Sequence, residues 1–366
     1  MLKLGYALSS EEFGPSELVS FAERAENAGF QFALISDHYH PWTKAQENSP
    51  FAWTVIGGIS QVVQKLRLGT GVTCPLMRYS PALIAQAAAT SAVMMPGRFF
   101  LGLGTGESLN EHITGGHWPT RSERLEMLTE AVDVIRLLWQ GGFQNHHGKY
   151  YTVEQARVYT LPTTPPPIMI AASKPKAAAL AGRIGDGLIS TVPSRKLVKQ
   201  FEEEGGRKKT RIGQLTVCYA KSEDEAAQTV RKYWGNAGVG APLMTDLPTP
   251  AHFDSVIETM QADKIVEDIV LGPDPKRHID GIKKFVDAGY DHVYIHQVGP
   301  RQEEFFDFFA DKILSHFELG TDEHSNGSSA DKRKLAHETD TSLARSTSSR
   351  KSRATKTPNA TTRAAG

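Results

Sequence analysis

The stretch Ile35-Ser36-Asp37-His38-Tyr39-His40-Pro41-Trp42 decides how the rest of the chain is interpreted. It completes the apolar run Phe32-Ala33-Leu34-Ile35, which is typical of a strand buried on both faces of a parallel sheet. The run then gives way to an acid, two histidines, a phenol and an indole. Because α/β folds carry their chemistry at the carboxyl ends of such strands, the stretch predicts one edge of an active site. A solvated polar turn is the plain alternative.

Strand-like apolar runs alternate with helical segments as far as residue 317. Eight strands are predicted, beginning at Leu2, Phe32, Leu66, Arg98, Ile168, Gly187, Gln214 and His292. Helices are predicted over residues 15–28, 51–64, 81–95, 175–184, 223–234 and 303–317, with a long helix around residues 125–139. Such alternation implies a parallel sheet with crossover helices, and eight units fit a (β/α)8 TIM barrel with insertions. An open doubly wound sheet is the alternative, but no Gly-x-Gly-x-x-Gly turn follows the first strand.

The overall composition sets the class of protein. The chain has 366 residues, 40% of them hydrophobic, and its 41 basic side chains balance 41 acidic ones. A net charge of zero gives no electrostatic reason to expect nucleic acid or a membrane surface as a partner. Two cysteines, Cys74 and Cys218, are too few for a disulfide framework. No run approaches the roughly 20 apolar residues of a membrane span, and no signal-like segment opens the chain, so we expect a cytoplasmic protein.

The composition changes after residue 320. Beyond Asp340 the chain contains six basic residues, no acidic residue, and mainly Ser, Thr and Ala. Such a segment cannot bury enough apolar surface to offset the entropy lost on ordering. We therefore predict a barrel domain over residues 1–320 and a disordered basic tail over residues 321–366.

Polar side chains follow the predicted strands at their carboxyl ends. They are Glu11, Asp37, His38, Thr73, Glu107, Asn110, Ser173, Thr191, Tyr219 and His296. A carboxylic acid and an imidazole that face one pocket can exchange protons with a substrate. Metal binding by Asp37, His38, His40 and Glu107 is the competing interpretation, but their spacing matches neither His-Glu-x-x-His nor a facial triad.

Two further features suit a flat, anionic ligand. The run Gly102-Leu103-Gly104-Thr105-Gly106 permits a ring or a phosphate to approach the backbone closely. The helix predicted to begin at Pro175, directly after a strand, offers free backbone amides to an anion.

Together these motifs resemble the deazaflavin (coenzyme F-420)-dependent branch of the luciferase-like oxidoreductases. Within that branch the chain is similar to the subgroup named after F-420-dependent glucose-6-phosphate dehydrogenase, over residues 1–317. The resemblance rests on the opening stretch, on Gly69-Thr70-Gly71-Val72, on the run from Gly102 to Glu111, on Ala179 to Gly187, and on Asp291 to Gln297.

The resemblance implies a coenzyme at the carboxyl-terminal mouth of the barrel, with hydride transfer at ring carbon five. It implies that His38 faces the substrate hydroxyl, Trp42 lines the reacting face, Glu107 donates a proton near the ring nitrogens and Glu11 contacts substrate. The coenzyme contacts it implies are Asp37, Gly71, Val72, Cys74, Asn110, Ser173 and Thr191. It also implies a non-proline cis peptide between Gly71 and Val72.

The substrate that we expect for this chain differs from the glucose-6-phosphate after which the subgroup is named. Where the resemblance implies two lysines and an arginine around a sugar phosphate, this chain has Ser194, His252 and Asp268, although Arg195 and Lys196 stand next to Ser194 and offer alternative cations. The nearby insertion instead offers an apolar wall of Leu243, Met244, Leu247, Pro248, Pro250 and Phe253. We therefore expect a homodimeric F-420-dependent oxidoreductase that acts on a neutral alcohol or its carbonyl counterpart. The alternatives are an FMN-dependent monooxygenase, an F-420-dependent sugar-phosphate dehydrogenase and a non-enzymatic deazaflavin-binding protein.

Overall fold

The computed structural model describes residues 1–317, and every structural statement below concerns that part of the chain. The tail predicted for residues 321–366 lies outside the described residues. The strands are β1 (Lys3–Leu8), β2 (Phe32–Ile35), β3 (Arg67–Thr70), β4 (Phe99–Leu103), β5 (Gln144–His147), β6 (Thr152–Ala156), β7 (Ile168–Ala171), β8 (Gly187–Ser190), β9 (Thr210–Cys218), β10 (Val270–Leu271) and β11 (His292–Gln297).

Eight of these strands close into a parallel barrel in the order β1, β2, β3, β4, β7, β8, β9, β11. Closure depends on β9, which pairs with β8 through Thr210 and Gly187 and with β11 through Ile212 and His292. The predicted TIM barrel is therefore confirmed. The short strand β10 extends the sheet beside the end of β9, and β5 and β6 form a separate antiparallel hairpin.

Helices surround the barrel, and most of the predicted ones are present. They are α1 (Pro15–Ala28), α2 (Ala52–Val62), α3 (Pro81–Met94), α4 (Ser108–Glu111), α5 (Arg121–Leu138), α6 (Pro175–Ile184), α7 (Arg195–Phe201), α8 (Glu223–Tyr233), α9 (Leu243–Asp246), α10 (Pro250–Ile257), α11 (Ala262–Val266), α12 (Pro275–Ala288) and α13 (Gln302–Lys312). The prediction of one helix through residue 317 was wrong, because α13 ends at Lys312 and a separate 3-10 turn, Leu314–His316, follows. In residues 1–317 no helix is both long and apolar enough to cross a bilayer.

The barrel interior is a packed core. Its side chains form one apolar cluster of Phe32, Leu34, Phe100, Met169, Ile189, Ile212 and Tyr294. Gly69 on β3 is needed in this cluster, since a Cβ there would collide with the Phe100 ring. Because the interior is filled below, a ligand has room only at the ends of the strands, where the polar side chains lie.

Candidate active site

Glu11 and His38 meet at the carboxyl ends of the neighbouring strands β1 and β2. His38 Nε2 lies 3.3 Å from Glu11 Oε1, and both side chains are almost fully buried. Ser36 fixes the acid, since its hydroxyl donates to Glu11 Oε2 at 2.6 Å. Burial acts to raise the pKa of Glu11, but His38 and the Ser36 hydrogen bond outweigh it and hold that pKa below its usual value. The acid is therefore ionised beside the imidazole at neutral pH.

The second nitrogen of His38 is also engaged. Its Nδ1 lies 3.2 Å from the carbonyl oxygen of His40, and its ring centroid lies 5.0 Å from that of Trp42. Both ring nitrogens thus face oxygen acceptors, and both can donate only when the ring carries two protons. A substrate oxygen can exchange a proton with this pair where it shares Nε2 of His38 with Glu11 Oε1.

Asp37 lies at the centre of a buried hydrogen-bond network. Its carboxylate accepts from Thr73 Oγ1 at 2.7 Å, from Arg78 Nη2 at 3.1 Å and from the Tyr79 hydroxyl at 3.1 Å. Arg78 also lies 3.5 Å from Glu111 and donates to the Asp37 carbonyl at 2.8 Å. The predicted coenzyme contact of Asp37 would therefore come from a carboxylate that the protein itself already orients.

Asn110 ties the strand-four motif to the strand-two motif. Its Oδ1 accepts from the backbone amides of Tyr39 and His40 at 2.9 and 3.2 Å. Its Nδ2 lies 3.5 Å from Glu107 Oε2, at the start of α4. The side chain of Asn110 is buried, so it positions both the loop that follows His38 and the carboxylate of Glu107.

A glycine-lined surface lies between β3 and β4. The peptide between Gly71 and Val72 is cis, as the resemblance implied. A Cβ at Gly104 would lie 2.6 Å from Val72 Cγ2, so bare backbone is needed there. Gly106, at φ +65°, leaves room for the Cys74 thiol, whose pKa is raised well above its usual value by burial and by Glu111. Both glycines are therefore needed for the close packing of Val72 and Cys74 at this end of the barrel, and the protonated thiol is unsuited to nucleophilic chemistry.

Ser173 and Thr191 are exposed just beyond the ends of the paired strands β7 and β8. Ser173 and Lys174 directly precede α6, whose first residue is Pro175. The free amides of this helix start, with the lysine beside them, suit the phosphate of a coenzyme. The coenzyme contacts predicted for Ser173 and Thr191 remain predictions.

Trp42 connects the site with the insertion between β9 and β10. It is 7% exposed and packs edge-on against Phe253 at 5.3 Å. We call the surrounding group the insertion cluster; it comprises Trp42, Leu109, Val239 and Phe253, with Trp234, Met244, Leu247, Val256, Ile257 and Met260 packed against them. Three residues of the predicted apolar wall, Met244, Leu247 and Phe253, therefore join this cluster. Leu243 instead remains 43% exposed.

Several residues of the site have no clear signal in the sequence. Arg78 lies eight residues after the end of β3, and nothing local indicates that it reaches Asp37. The sequence indicates His296 only as a residue at a strand end, yet its Nε2 lies 3.3 Å from Glu12 Oε2 and its ring 4.3 Å from that of Trp234. Within residues 1–317 no group of three or more His, Cys, Asp or Glu side chains is placed to hold a metal ion.

Comparison with known proteins identifies the family of this chain. The family model for the luciferase-like monooxygenases matches residues 2–292. An F-420-dependent glucose-6-phosphate dehydrogenase of Tsukamurella paurometabola is 34% identical over 322 residues, which cover 84% of this chain and 96% of the relative. An F-420-dependent hydroxymycolic acid dehydrogenase of Mycobacterium tuberculosis is 37% identical over 293 residues, covering 78% and 80%.

A solved structure extends the similarity to three dimensions. An F-420-dependent secondary alcohol dehydrogenase, in complex with an F-420–acetone adduct, superposes with a TM-score of 0.79 and 31% identity. The match covers 85% of this chain and 98% of that one. The chain therefore belongs to the luciferase-like monooxygenase family, and F-420-dependent dehydrogenases are among the members to which it is similar.

Proposed function

We propose that the protein is an F-420-dependent oxidoreductase that interconverts a neutral alcohol and its carbonyl counterpart. The observation that carries this proposal is the buried Glu11–His38 pair, with Trp42 beside it, at the mouth of the barrel. The pair can exchange a proton with an oxygen on a carbon that gains or loses hydride. The three F-420-dependent relatives described above act on substrates that carry a hydroxyl or a ketone, in agreement with this chemistry.

The coenzyme site is assigned to the glycine-lined surface and its neighbours. Gly71, Val72 and Cys74 would lie under the ring, Asp37 and Asn110 beside it, and Ser173 and Thr191 near the phosphate. When bound, F-420 supplies the acceptor or donor of hydride at ring carbon five. Glu107, whose carboxylate Asn110 positions, would hold a proton next to the ring nitrogens.

The remaining residues act on the substrate. His38 takes up or returns the hydroxyl proton, and Glu11 stabilises the charge that His38 then carries. Trp42 lines the reacting face and, with the insertion cluster, excludes water from it. Such a dry enclosure strengthens the interaction between Glu11 and His38, because less solvent screens it.

A sugar phosphate is a poor fit to the pocket. Ser194 serves as the N-cap of α7, and the guanidinium of Arg195 donates to the Asp287 carbonyl at 3.1 Å. His252 bonds Thr249, and Asp268 places an exposed negative charge where the resemblance implies an arginine. A phosphate dianion needs several fixed cationic donors, so we infer a neutral substrate.

We also infer a homodimer. Large apolar side chains are exposed at or near α2 and α3, including Phe51 at 54%, Leu83 at 60% and Met94 at 40%. Neighbouring exposed apolar side chains suit a protein–protein contact. Light scattering should give twice the chain mass, and Leu83→Lys should shift it toward the monomer. A monomeric wild-type protein would contradict the inference. The cytoplasmic location stays a prediction, to be checked by fractionation.

The enzyme assay that tests the proposal supplies each coenzyme with the same alcohols. Oxidised F-420 should be reduced by secondary alcohols, and reduced F-420 should be oxidised by the matching ketones. Reduced FMN with oxygen should give no substrate-dependent oxygen consumption. Oxygen consumption with FMN, and no turnover with F-420 in either direction, would replace the proposal with a monooxygenase.

A further inference from the structure

His296 has a buried ring nitrogen that no protein group uses. Its side chain is 3% exposed, and Nε2 lies 3.3 Å from Glu12, whose other oxygen accepts from the Gly299 amide at 2.8 Å. Nδ1 is buried and has no hydrogen-bond partner in the protein. With Nε2–H donated to Glu12, Nδ1 carries a lone pair that can accept a hydrogen bond.

The side on which the His296 side chain lies follows from the strand. Tyr294, two residues earlier on β11, belongs to the apolar cluster inside the barrel. Because side chains alternate along a strand, His296 faces the same interior, one layer nearer the mouth. Its ring lies 4.3 Å from that of Trp234, which packs against the insertion cluster beside Trp42. His296 therefore belongs to the pocket of the Glu11–His38 pair.

Asn236 is a second, independent anomaly in the same region. Its side chain is 1% exposed, and neither Oδ1 nor Nδ2 has a hydrogen-bond partner in the protein. It follows Trp234 by two residues and precedes Val239 by three, and both of these belong to the insertion cluster. Gln46 ties the end of α8 to the loop that carries Trp42, because its side-chain amide donates to the Tyr233 carbonyl and its side-chain oxygen accepts from the Trp42 amide, both at 2.8 Å.

Unpaired buried groups of this kind call for an explanation, because most buried polar groups have partners. The three free atoms comprise a carbonyl oxygen, an amide nitrogen and an imidazole nitrogen. They are complementary to a hydroxyl or carbonyl group, and none of them carries the formal charge that would favour an ionic partner. Glu11 and His38 already form a separate pair for the reacting oxygen.

We propose that Asn236 and His296 form a second binding position in the substrate pocket, which takes a neutral hydroxyl or carbonyl group distant from the reacting carbon. This rests on the proposed function and narrows it. The substrate class becomes a neutral diol or hydroxyketone instead of a simple alcohol. A site built to bind a substrate hydroxyl discriminates strongly against the analogue that lacks it.

The test compares diols of graded hydroxyl spacing with mono-alcohols of the same carbon chain, using F-420 reduction by the whole protein. At least one diol should have a kcat/KM about tenfold or more above its mono-alcohol. Asn236→Leu should bring that ratio to about one, and it should leave the melting temperature unchanged or raise it, because an apolar side chain replaces unpaired polar groups. His296→Gln should also lower the ratio, although the glutamine amide can still donate a hydrogen bond to Glu12. His292→Gln, at the other end of the same strand, is the matched control and should keep the ratio.

Equal kcat/KM for all diols and their mono-alcohols would overturn the inference. The position next to Asn236 and His296 would then hold water instead of a substrate group. A fall in melting temperature for Asn236→Leu with an unchanged ratio would also overturn it, since Asn236 would then be structural. If no alcohol is turned over with F-420, the proposed function fails separately. The inference is then judged by diol-induced thermal stabilisation, which should occur in the wild type and disappear in Asn236→Leu.

Discussion

The Nε2 atom of His38 lies 3.3 Å from Oε1 of Glu11, and neither residue is within a strand. They meet because β1 and β2 are parallel and paired, with Leu8 opposite Ile35, so the turns that follow both strands lie side by side. Ser36 spans the same gap, bonding Glu11 and also the backbone and hydroxyl of Ser10. The pair is thus held by the sheet register, independently of any ligand.

Removing either proposed proton-handling group should affect the chemical step. A positioned acid or base contributes about a hundred- to ten-thousand-fold, so His38→Ala and Glu107→Gln should each lower kcat by an amount in that range. Coenzyme affinity should stay within several-fold, because neither side chain is expected to supply most of the ring contacts. Turnover and fluorescence titration of the coenzyme measure the two quantities separately.

The matched control for this pair of variants is His147→Ala, which removes an exposed histidine on the β5–β6 hairpin. It should leave both kcat and affinity unchanged. Near-normal kcat in both His38→Ala and Glu107→Gln would be incompatible with the assigned roles.

The stability of the barrel should depend on Glu26 in a pH-dependent way. Its carboxylate, on α1, accepts from the backbone amides of Gln64, Lys65 and Leu66 at 2.6 to 3.1 Å. Burial acts to raise the pKa of Glu26, but these amides outweigh it and the pKa is lowered. A lowered folded-state pKa stabilises the protein above the unfolded pKa of about 4.3, and that contribution is lost as the pH falls through the folded value.

Glu26→Gln should therefore cost about 1–2 kcal/mol of unfolding free energy at neutral pH, and the deficit should shrink below about pH 4. Urea unfolding at several pH values measures it. Glu23→Gln, an exposed change on the same helix, should cost almost nothing. A Glu26→Gln deficit that is constant from pH 7 to the acid range would refute the assigned role of the charge.

Glucose-6-phosphate should be a poor substrate. Without cations at Ser194, His252 and Asp268, its phosphate loses the charge-assisted bonds that would hold it. We expect the best neutral alcohol to exceed it in kcat/KM by at least about tenfold, and glucose and glucose-6-phosphate to differ little from each other. Initial rates of F-420 reduction with all three compounds decide the point. Efficient, phosphate-dependent turnover would restore the sugar-phosphate alternative.

The segment beyond the barrel should be dispensable for folding and activity. Residues 321–366 lack apolar periodicity, so a chain that ends at Gly320 should keep the wild-type melting temperature and kcat. Differential scanning calorimetry with a standard assay checks both. A fall of several degrees would show that the segment packs against the barrel.

Much of the fold could be predicted because its signals are local. The apolar run Phe32–Ile35, and Pro15 and Gly29 at the two ends of α1, each indicate an element by themselves. Helix α12 carries similar signals, Asp274 as N-cap and Gly289 at its C-cap, and could have been predicted from them. The short helices α9 and α10 could not, because residues of both pack into the insertion cluster around Trp42. Helix α11 could not either, because its Ile265 packs into a separate apolar cluster with Ala226 and Val230 of α8.

The residues of the candidate site also divide into those that local sequence predicts and those that it does not. Glu11, Asp37, His38, Glu107 and Asn110 could be proposed because each follows a strand end. The partners that orient them are distant in the chain: Arg78 reaches Asp37 across 41 residues, and Glu12 reaches His296 across 284. Such pairings depend on which strands lie side by side in the barrel, which no local pattern encodes. Unpaired atoms, such as those of Asn236, appear only once every neighbour has been placed.

The most direct test of the central claim, dependence on F-420, is a binding titration of the purified protein with oxidised F-420 and, separately, with FMN. We expect saturable binding of F-420 and at least tenfold weaker binding of FMN. The variant Gly104→Val should weaken the binding of F-420, because the added side chain would crowd Val72 on the glycine-lined surface. Tight binding of FMN with no detectable binding of F-420 would contradict the central claim.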